Sequence, residues 1–161
     1  MPAFGPVLYI VGLVLALLAG VMVIPALVDA LTGHEDWQVF AASALVTLFA
    51  GVSLMLTTQG TRTVSLNLRQ AFLLTTLLWL VVALFGALPF AFSDLKMSYT
   101  DAFFEAMSGV TTTGSTVIVG LDTAPPGLLL WRALLQWLGG IGIIVIAMGI
   151  LPMLSVGGMQ L

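Results

Sequence analysis

Five consecutive residues, Thr111-Thr112-Thr113-Gly114-Ser115, set hydroxyl and carbonyl oxygens in unbroken succession with no charged side chain among them. Uncharged oxygens of this kind can replace the water shell of a cation, and a glycine allows the dihedrals that aim successive carbonyls to one side. The run follows SYTDAFFEAMS, Ser98 to Ser108, which reads as a short amphipathic helix that breaks at Gly109. Ser98 and Asp101 have the spacing of a capping box. Asp101 and Glu105 lie in the first two turns, where negative charge suits the positive end of the helix dipole. The far end, at Ser108-Gly109, carries carbonyls equivalent to about half a negative elementary charge, which favours a cation over an anion. Val110 and Ser115 flank the oxygen-rich run and support it.

The elements around this unit must hold it at membrane depth. The chain has 161 residues, 60% hydrophobic and 7% charged, with a mean hydropathy of +1.19. A soluble domain carries about 25% charged residues, so the composition is that of an integral membrane protein. Four apolar stretches are expected to span: Val7 to Leu31, Trp37 to Thr57, Gln70 to Phe92 and Leu128 to Pro152. The Ser98–Ser108 helix is too short to cross, since a span needs about 20 apolar residues. The Thr/Gly run is too polar to face lipid, and irregular backbone is tolerated at that depth only inside protein or a water-filled cavity. We therefore read Ser98 to Gly120 as a re-entrant pore loop, built from the parts of a potassium-selective filter. The competing reading is a non-conducting membrane assembly module whose Thr/Gly loop is only a surface cap.

The fold class expected is thus all-α integral membrane: two leading transmembrane helices (1–69, with their linker), then one helix–re-entrant loop–helix repeat (70–161). Arg62 and Arg69 mark the linker Thr58 to Asn67 as cytoplasmic by the positive-inside rule, which puts the N-terminus inside and the acidic His34-Glu35-Asp36 link outside. The tail Ser155 to Leu161 then lies inside as well. The absence of cysteine rules out a disulfide framework and thiolate metal sites. The single histidine, His34, sits in a loop, so no serine–histidine dyad is available to Ser108 or Ser115 within the bilayer, and an enzyme is not expected.

Arg132 falls about one turn inside the last helix, where an arginine needs a partner. Asp101, Glu105 and Asp122 are the candidates, and pairing with any of them would brace the loop. The glycines of Gln136-Trp137-Leu138-Gly139-Gly140-Ile141-Gly142 read as a smooth surface for close helix packing, with a hinge as a second role.

TDAFFEAMSGVTTTGSTVIVGLD, Thr100 to Asp122, and WRALLQWLGGIGIIVIAMGILPMLSVGGMQL, Trp131 to Leu161, closely resemble the first pore repeat of the Trk-type potassium uptake proteins, membrane subunits of the Trk/Ktr/HKT superfamily. The resemblance implies four helix–loop–helix repeats around one filter, each loop giving a key glycine. Here that glycine would be Gly114, with Thr111, Thr112 and Thr113 supplying oxygens to potassium, the transported substrate. It further implies a bacterial inner-membrane, multi-pass protein with both termini cytoplasmic and no covalent cofactor. Its partners would be lipid, the remaining repeats, a second copy in a homodimer and a cytoplasmic nucleotide-binding regulatory subunit of the Trk-A type, with no nucleic acid. The chain holds a single repeat and stops at Leu161, so it is expected to be an N-terminal piece; assembly of four copies is the alternative.

Overall fold

A computed structural model of the chain describes residues 4–58 and 66–154, with side chains described as far as residue 149. Arg62, residues 63–65 of the same linker and the tail 155–161 lie outside the described residues. Among those described the fold is all-α: α1 (Gly5–Thr32), α2 (Trp37–Thr57), α3 (Leu68–Gly86), α4 (Leu88–Phe92), α5 (Tyr99–Val110) and α6 (Pro126–Leu154), with a short 3-10 turn at Leu121–Thr123. Among the described residues four segments are long and apolar enough to cross a membrane: α1, α2, the α3–α4 pair (Leu68–Phe92) and Pro126–Gly149 of α6. At 12 residues, α5 is roughly 18 Å long, against the roughly 30 Å of a bilayer's hydrocarbon core.

The third span is not the single helix expected. It divides at Ala87, two residues before Pro89. The proline has no N–H to offer the Phe85 carbonyl, and its ring crowds that turn. At the break the buried carbonyl of Gly86 accepts from Trp131 Nε1 of α6, at 2.9 Å. At the other end, α3 opens on a reciprocal capping box. Asn67 Oδ1 accepts from Gln70 N and Gln70 Oε1 accepts from Asn67 N, both at 2.9 Å.

A second correction concerns α5, which does not break at Gly109 but runs on through Val110. Gly109 serves packing: a Cβ there would come within 3.2 Å of Leu135 Cβ on α6.

In the bundle, α1 packs along α2 and also meets α3 and α6, while α5 is held among α3, α4 and α6. Gly12 and Gly51 allow α1 and α2 to touch backbone to backbone, since a Cβ on either would lie 2.7 Å from the other's carbonyl oxygen. The core gathers Leu15, Leu18 and Met22 of α1, Phe40 of α2, Phe90 of α4, Ala102 and Ala106 of α5, and Trp131 and Leu135 of α6. Phe40 and Trp131 meet edge to face, with centroids 6.2 Å apart.

Three connections share one end of this bundle. Asp94 N, in the turn before α5, donates to Asp36 Oδ1 in the α1–α2 link at 3.2 Å. Gly127 N, at the start of α6, donates to Asp29 Oδ1 of α1 at 2.6 Å. The chain therefore enters the bundle as α5 and returns to the same end before α6 begins.

Candidate functional site

The site is built outward from α5. Its start is capped as the spacing predicts: Ser98 Oγ accepts from Asp101 N at 3.1 Å and donates to Asp101 Oδ2 at 2.7 Å. That contact keeps Asp101 at the helix entrance. Tyr99 Oη donates to the Leu84 carbonyl at 2.9 Å and ties the same end to α3.

At the other end the backbone reverses. Thr111 N donates to Met107 O and Thr112 N to Gly109 O, both at 2.9 Å, while Thr113 N and Gly114 N both donate to Ser108 O, at 3.0 and 3.3 Å. The carbonyls of Met107, Ser108 and Gly109 are thus satisfied, contrary to the open negative pole expected at Ser108-Gly109, while that of Val110 accepts from no described residue. Peptide planarity moves that pole onward. An amide whose N–H points back to the helix points its attached carbonyl away from it. The carbonyls of Thr111, Thr112 and Thr113 therefore face outward, and none of them accepts a hydrogen bond from a described residue. Negative dipole ends are still presented beyond the helix, but they belong to the loop.

Two residues make this reversal by entering the left-handed region, Thr112 at φ 58° and Gly114 at φ 79°. For glycine that conformation carries no steric penalty. For a β-branched threonine it is a strained outlier, of the kind that gathers at ligand clamps. Thr111 Oγ1 donates to Met107 O at 2.8 Å. Its one proton being used, the 2.8 Å contact between Thr111 Oγ1 and Thr113 Oγ1 has Thr113 as the donor. Residues Thr111 to Val117 are all exposed on this chain.

Behind the loop stands Glu105, fully buried. Its Oε1 pairs with Arg132 Nε of α6, and its Oε2 accepts from Thr116 Oγ1 at 2.9 Å and Val117 N at 3.0 Å. Arg132 Nη2 donates onward to the Gly114 carbonyl at 2.8 Å. Ser108 Oγ holds the next carbonyl, that of Ser115, at 2.6 Å. Of the three acids named as partners for Arg132, the structure selects Glu105, while Asp122 stays exposed in the 3-10 turn. Val110 is buried. A Cβ on Gly139 of α6 would overlap the Val110 carbonyl, so α6 passes flush against the end of α5. Gly140 and Gly142, read with it as one packing surface, have no such neighbour within 4 Å.

Sequence reasoning passed over Ser108, Thr116 and the buried Asp29. A serine one turn before the Thr run, and an acid in the last turn of an aliphatic helix, were the signals available. All seven acidic residues of the chain fall within 29–36 and 94–122, the connections and the loop unit at one end. Arg69 lies at the opposite end, where α3 begins. What the arrangement offers chemically is three outward carbonyls on a braced scaffold, oxygens of the kind that suit a desolvated cation.

Comparison with known proteins places the chain in a family of cation transport proteins. A family model described as TrkH, cation transport protein, matches residues 36–161. The Trk system potassium uptake protein TrkH of Escherichia coli K12 is 45% identical over 159 residues, covering 98% of this chain and 33% of that protein. TrkH of Halomonas elongata is 44% identical, covering 96% and 32%. The crystal structure of the potassium transporter TrkH from Vibrio parahaemolyticus matches with a TM-score of 0.90 at 44% identity, over 99% of this chain and 34% of that one. The chain spans about a third of the length of the curated relatives it matches.

Proposed function

Since the chain belongs to the TrkH family of cation transport proteins, we propose that it forms part of the potassium-conducting membrane subunit of a Trk-type uptake system, contributing one filter loop. The observation that carries this reading is the reversal after α5, which turns the Thr111, Thr112 and Thr113 carbonyls outward. These oxygens replace part of the water shell of potassium, the cargo. Gly114 supplies the left-handed turn that ends the run, and its own carbonyl is held by Arg132. Val110 and Ser115 frame the loop, Glu105 and Arg132 brace it, and Asp101 anchors the helix that carries it. Permeation requires no covalent chemistry: the barrier falls because oxygens already held in place exchange for water.

The loop unit is re-entrant in this reading, entering and leaving by the acidic face, and residues 70–161 form the first of the repeats that close the pore around it. The two leading helices, 1–69, stand outside the pore. The acidic end faces outward, drawing cations to the entrance, and both termini lie on the cytoplasmic side of a bacterial inner membrane. Exposure of Thr111 to Val117 on this chain fits a site completed by further repeats. Dimerisation and a cytoplasmic nucleotide-binding regulatory subunit complete the assembly proposed for the whole protein.

The test is thiol accessibility. The 161 residues contain no cysteine, so Ser115→Cys adds the one thiol of this stretch, and its labelling in the protein as its gene encodes it is read against the unsubstituted protein. Potassium is expected to slow its labelling by an aqueous thiol reagent, and a cation excluded from the pore is not. Equal labelling with and without potassium would favour the surface-cap reading.

A further inference from the structure

Two buried carboxylates lie outside the loop and outside the repeat that carries it. Asp29, in the last turn of α1, is fully buried, and Asp36, at the entry to α2, is 3% exposed. Each uses one oxygen on a backbone N–H far along the chain. Asp29 Oδ1 accepts from Gly127 N at 2.6 Å, and Asp36 Oδ1 from Asp94 N at 3.2 Å. The Oδ2 of each is buried with no hydrogen-bond partner among the described residues.

An unsatisfied buried oxygen is a stability cost, so the fold is not the evident beneficiary of these two residues. What they hold is specific. Gly127 N is one of the first-turn donors of α6 that the helix itself leaves open, and a carboxylate there also meets the positive dipole end. The fit is close, because a Cβ on Gly127 would overlap the Asp29 carboxylate. Asp94 belongs to the turn that delivers the chain to Ser98, the cap of α5. One carboxylate thus pins the entrance of α5 and the other the entrance of α6. Those two helices supply Glu105 and Arg132, whose contact fixes Gly114. Arg132 lies five residues beyond Gly127, about 7.5 Å along the helix, so a displaced α6 entrance moves the guanidinium with it.

We propose that Asp29 and Asp36 are positioning residues through which the two leading helices set the geometry of the filter loop. This rests on the reading of that loop as a filter. The leading pair carries no filter loop of its own, and its function here is to clamp the repeat at both outer attachments.

The test uses the protein expressed from its native locus, with rubidium uptake measured against concentration and against sodium competition, normalised to the amount of protein in the membrane. Asp29→Ala and Gly127→Ala are expected to raise half-saturation and weaken discrimination against sodium by about tenfold, within the range that ångström-scale misplacement of a site produces. Asp29→Asn keeps an acceptor oxygen for Gly127 N and is expected to stay near wild type. A purely structural role would lower only the maximal rate, through fewer copies in the membrane. Unchanged half-saturation and discrimination in both variants would overturn the proposal. Should Asp29→Ala and Gly127→Ala fail to reach the membrane, Asp36→Ala, which loses the longer bond, carries the same expectation and the same refutation. Gly114→Asp serves as the control: if it too leaves uptake unchanged, the filter reading has failed rather than the clamp.

Discussion

Glu105 and Arg132 form an ion pair directly beneath the Thr/Gly loop, and between them they hold both ends of its outward turn. Glu105 reaches Thr116 and Val117 on the outgoing side, and Arg132 reaches the Gly114 carbonyl. A charged pair in this position is a scaffold part whose removal is felt at the loop.

Arg132→Met leaves the fully buried Glu105 charge without its partner, which costs about 3–5 kcal/mol, and it is expected to lower unfolding stability in detergent by that order. Glu105→Ala leaves a guanidinium that is partly exposed, and a smaller loss is expected. Arg132→Lys keeps the charge but not the planar fork, so it cannot serve Glu105 and Gly114 together. It is expected to fold while discriminating less between rubidium and sodium. Uptake and selectivity equal to wild type in Arg132→Lys would show that the second contact is idle.

Gly139 and Gly140 are adjacent yet predict opposite results. A methyl at Gly139 meets the Val110 carbonyl, whereas nothing lies within 4 Å of one at Gly140. Gly139→Ala is expected to destabilise by about 1–3 kcal/mol, as overpacking does. Gly140→Ala is expected to be neutral or to gain up to about 1 kcal/mol from helix propensity. Paired thermal unfolding of the two variants decides this, and equal shifts would contradict the packing assigned to Gly139.

The left-handed pair Thr112 and Gly114 makes a similar contrast. Thr112→Gly relieves a strain of order 1–3 kcal/mol without removing a carbonyl, so unfolding is expected to shift upward. Gly114→Ala introduces a penalty of roughly 1–2 kcal/mol at its positive φ, and a downward shift is expected. The reverse order of stabilities would mean that the loop takes a different backbone path.

Asp36 gives the chain a pH signature. Burial is the main cause that raises its pKa above the ordinary 3.8, with the Asp94 and Asp29 carboxylates adding to the rise and the Asp94 N–H and His34 opposing it. The folded form therefore holds the proton more tightly than the unfolded chain. Its contribution to stability is full below pH 3.8 and is lost as pH rises through the folded value. Asp36→Asn is expected to exceed wild type in stability at neutral pH, with the difference closing as pH falls toward 4. An unfolding series across pH in which the two curves stay parallel would remove Asp36 as the titrating group.

The four spans were legible because apolar runs of that length have few other fates, and Trp37 and Thr57 mark the ends of α2 as expected. The cap at Ser98–Asp101 was legible from spacing alone. Gly109 misled, because glycine carries two meanings, helix end and close contact, and only the position of Leu135 decides between them. The partner of Arg132 was narrowed to three acids but not chosen. That choice depends on Ser98 engaging Asp101 and on how α6 lies against α5. The outward carbonyls and the strain at Thr112 are properties of backbone direction, which residue types do not encode locally. Asp29 and Asp36 went unread because their partners lie 98 and 58 residues away.

The most direct measurement is rubidium uptake competed by potassium, comparing wild type with Gly114→Asp in the protein as its gene encodes it. An aspartate at this position takes the left-handed turn less readily than glycine and puts a fixed charge beside the Thr oxygens. The expected result is saturable uptake that potassium competes in the wild type and that Gly114→Asp abolishes at normal membrane levels. Uptake and potassium competition left intact by Gly114→Asp would contradict the claim that cations pass along this loop.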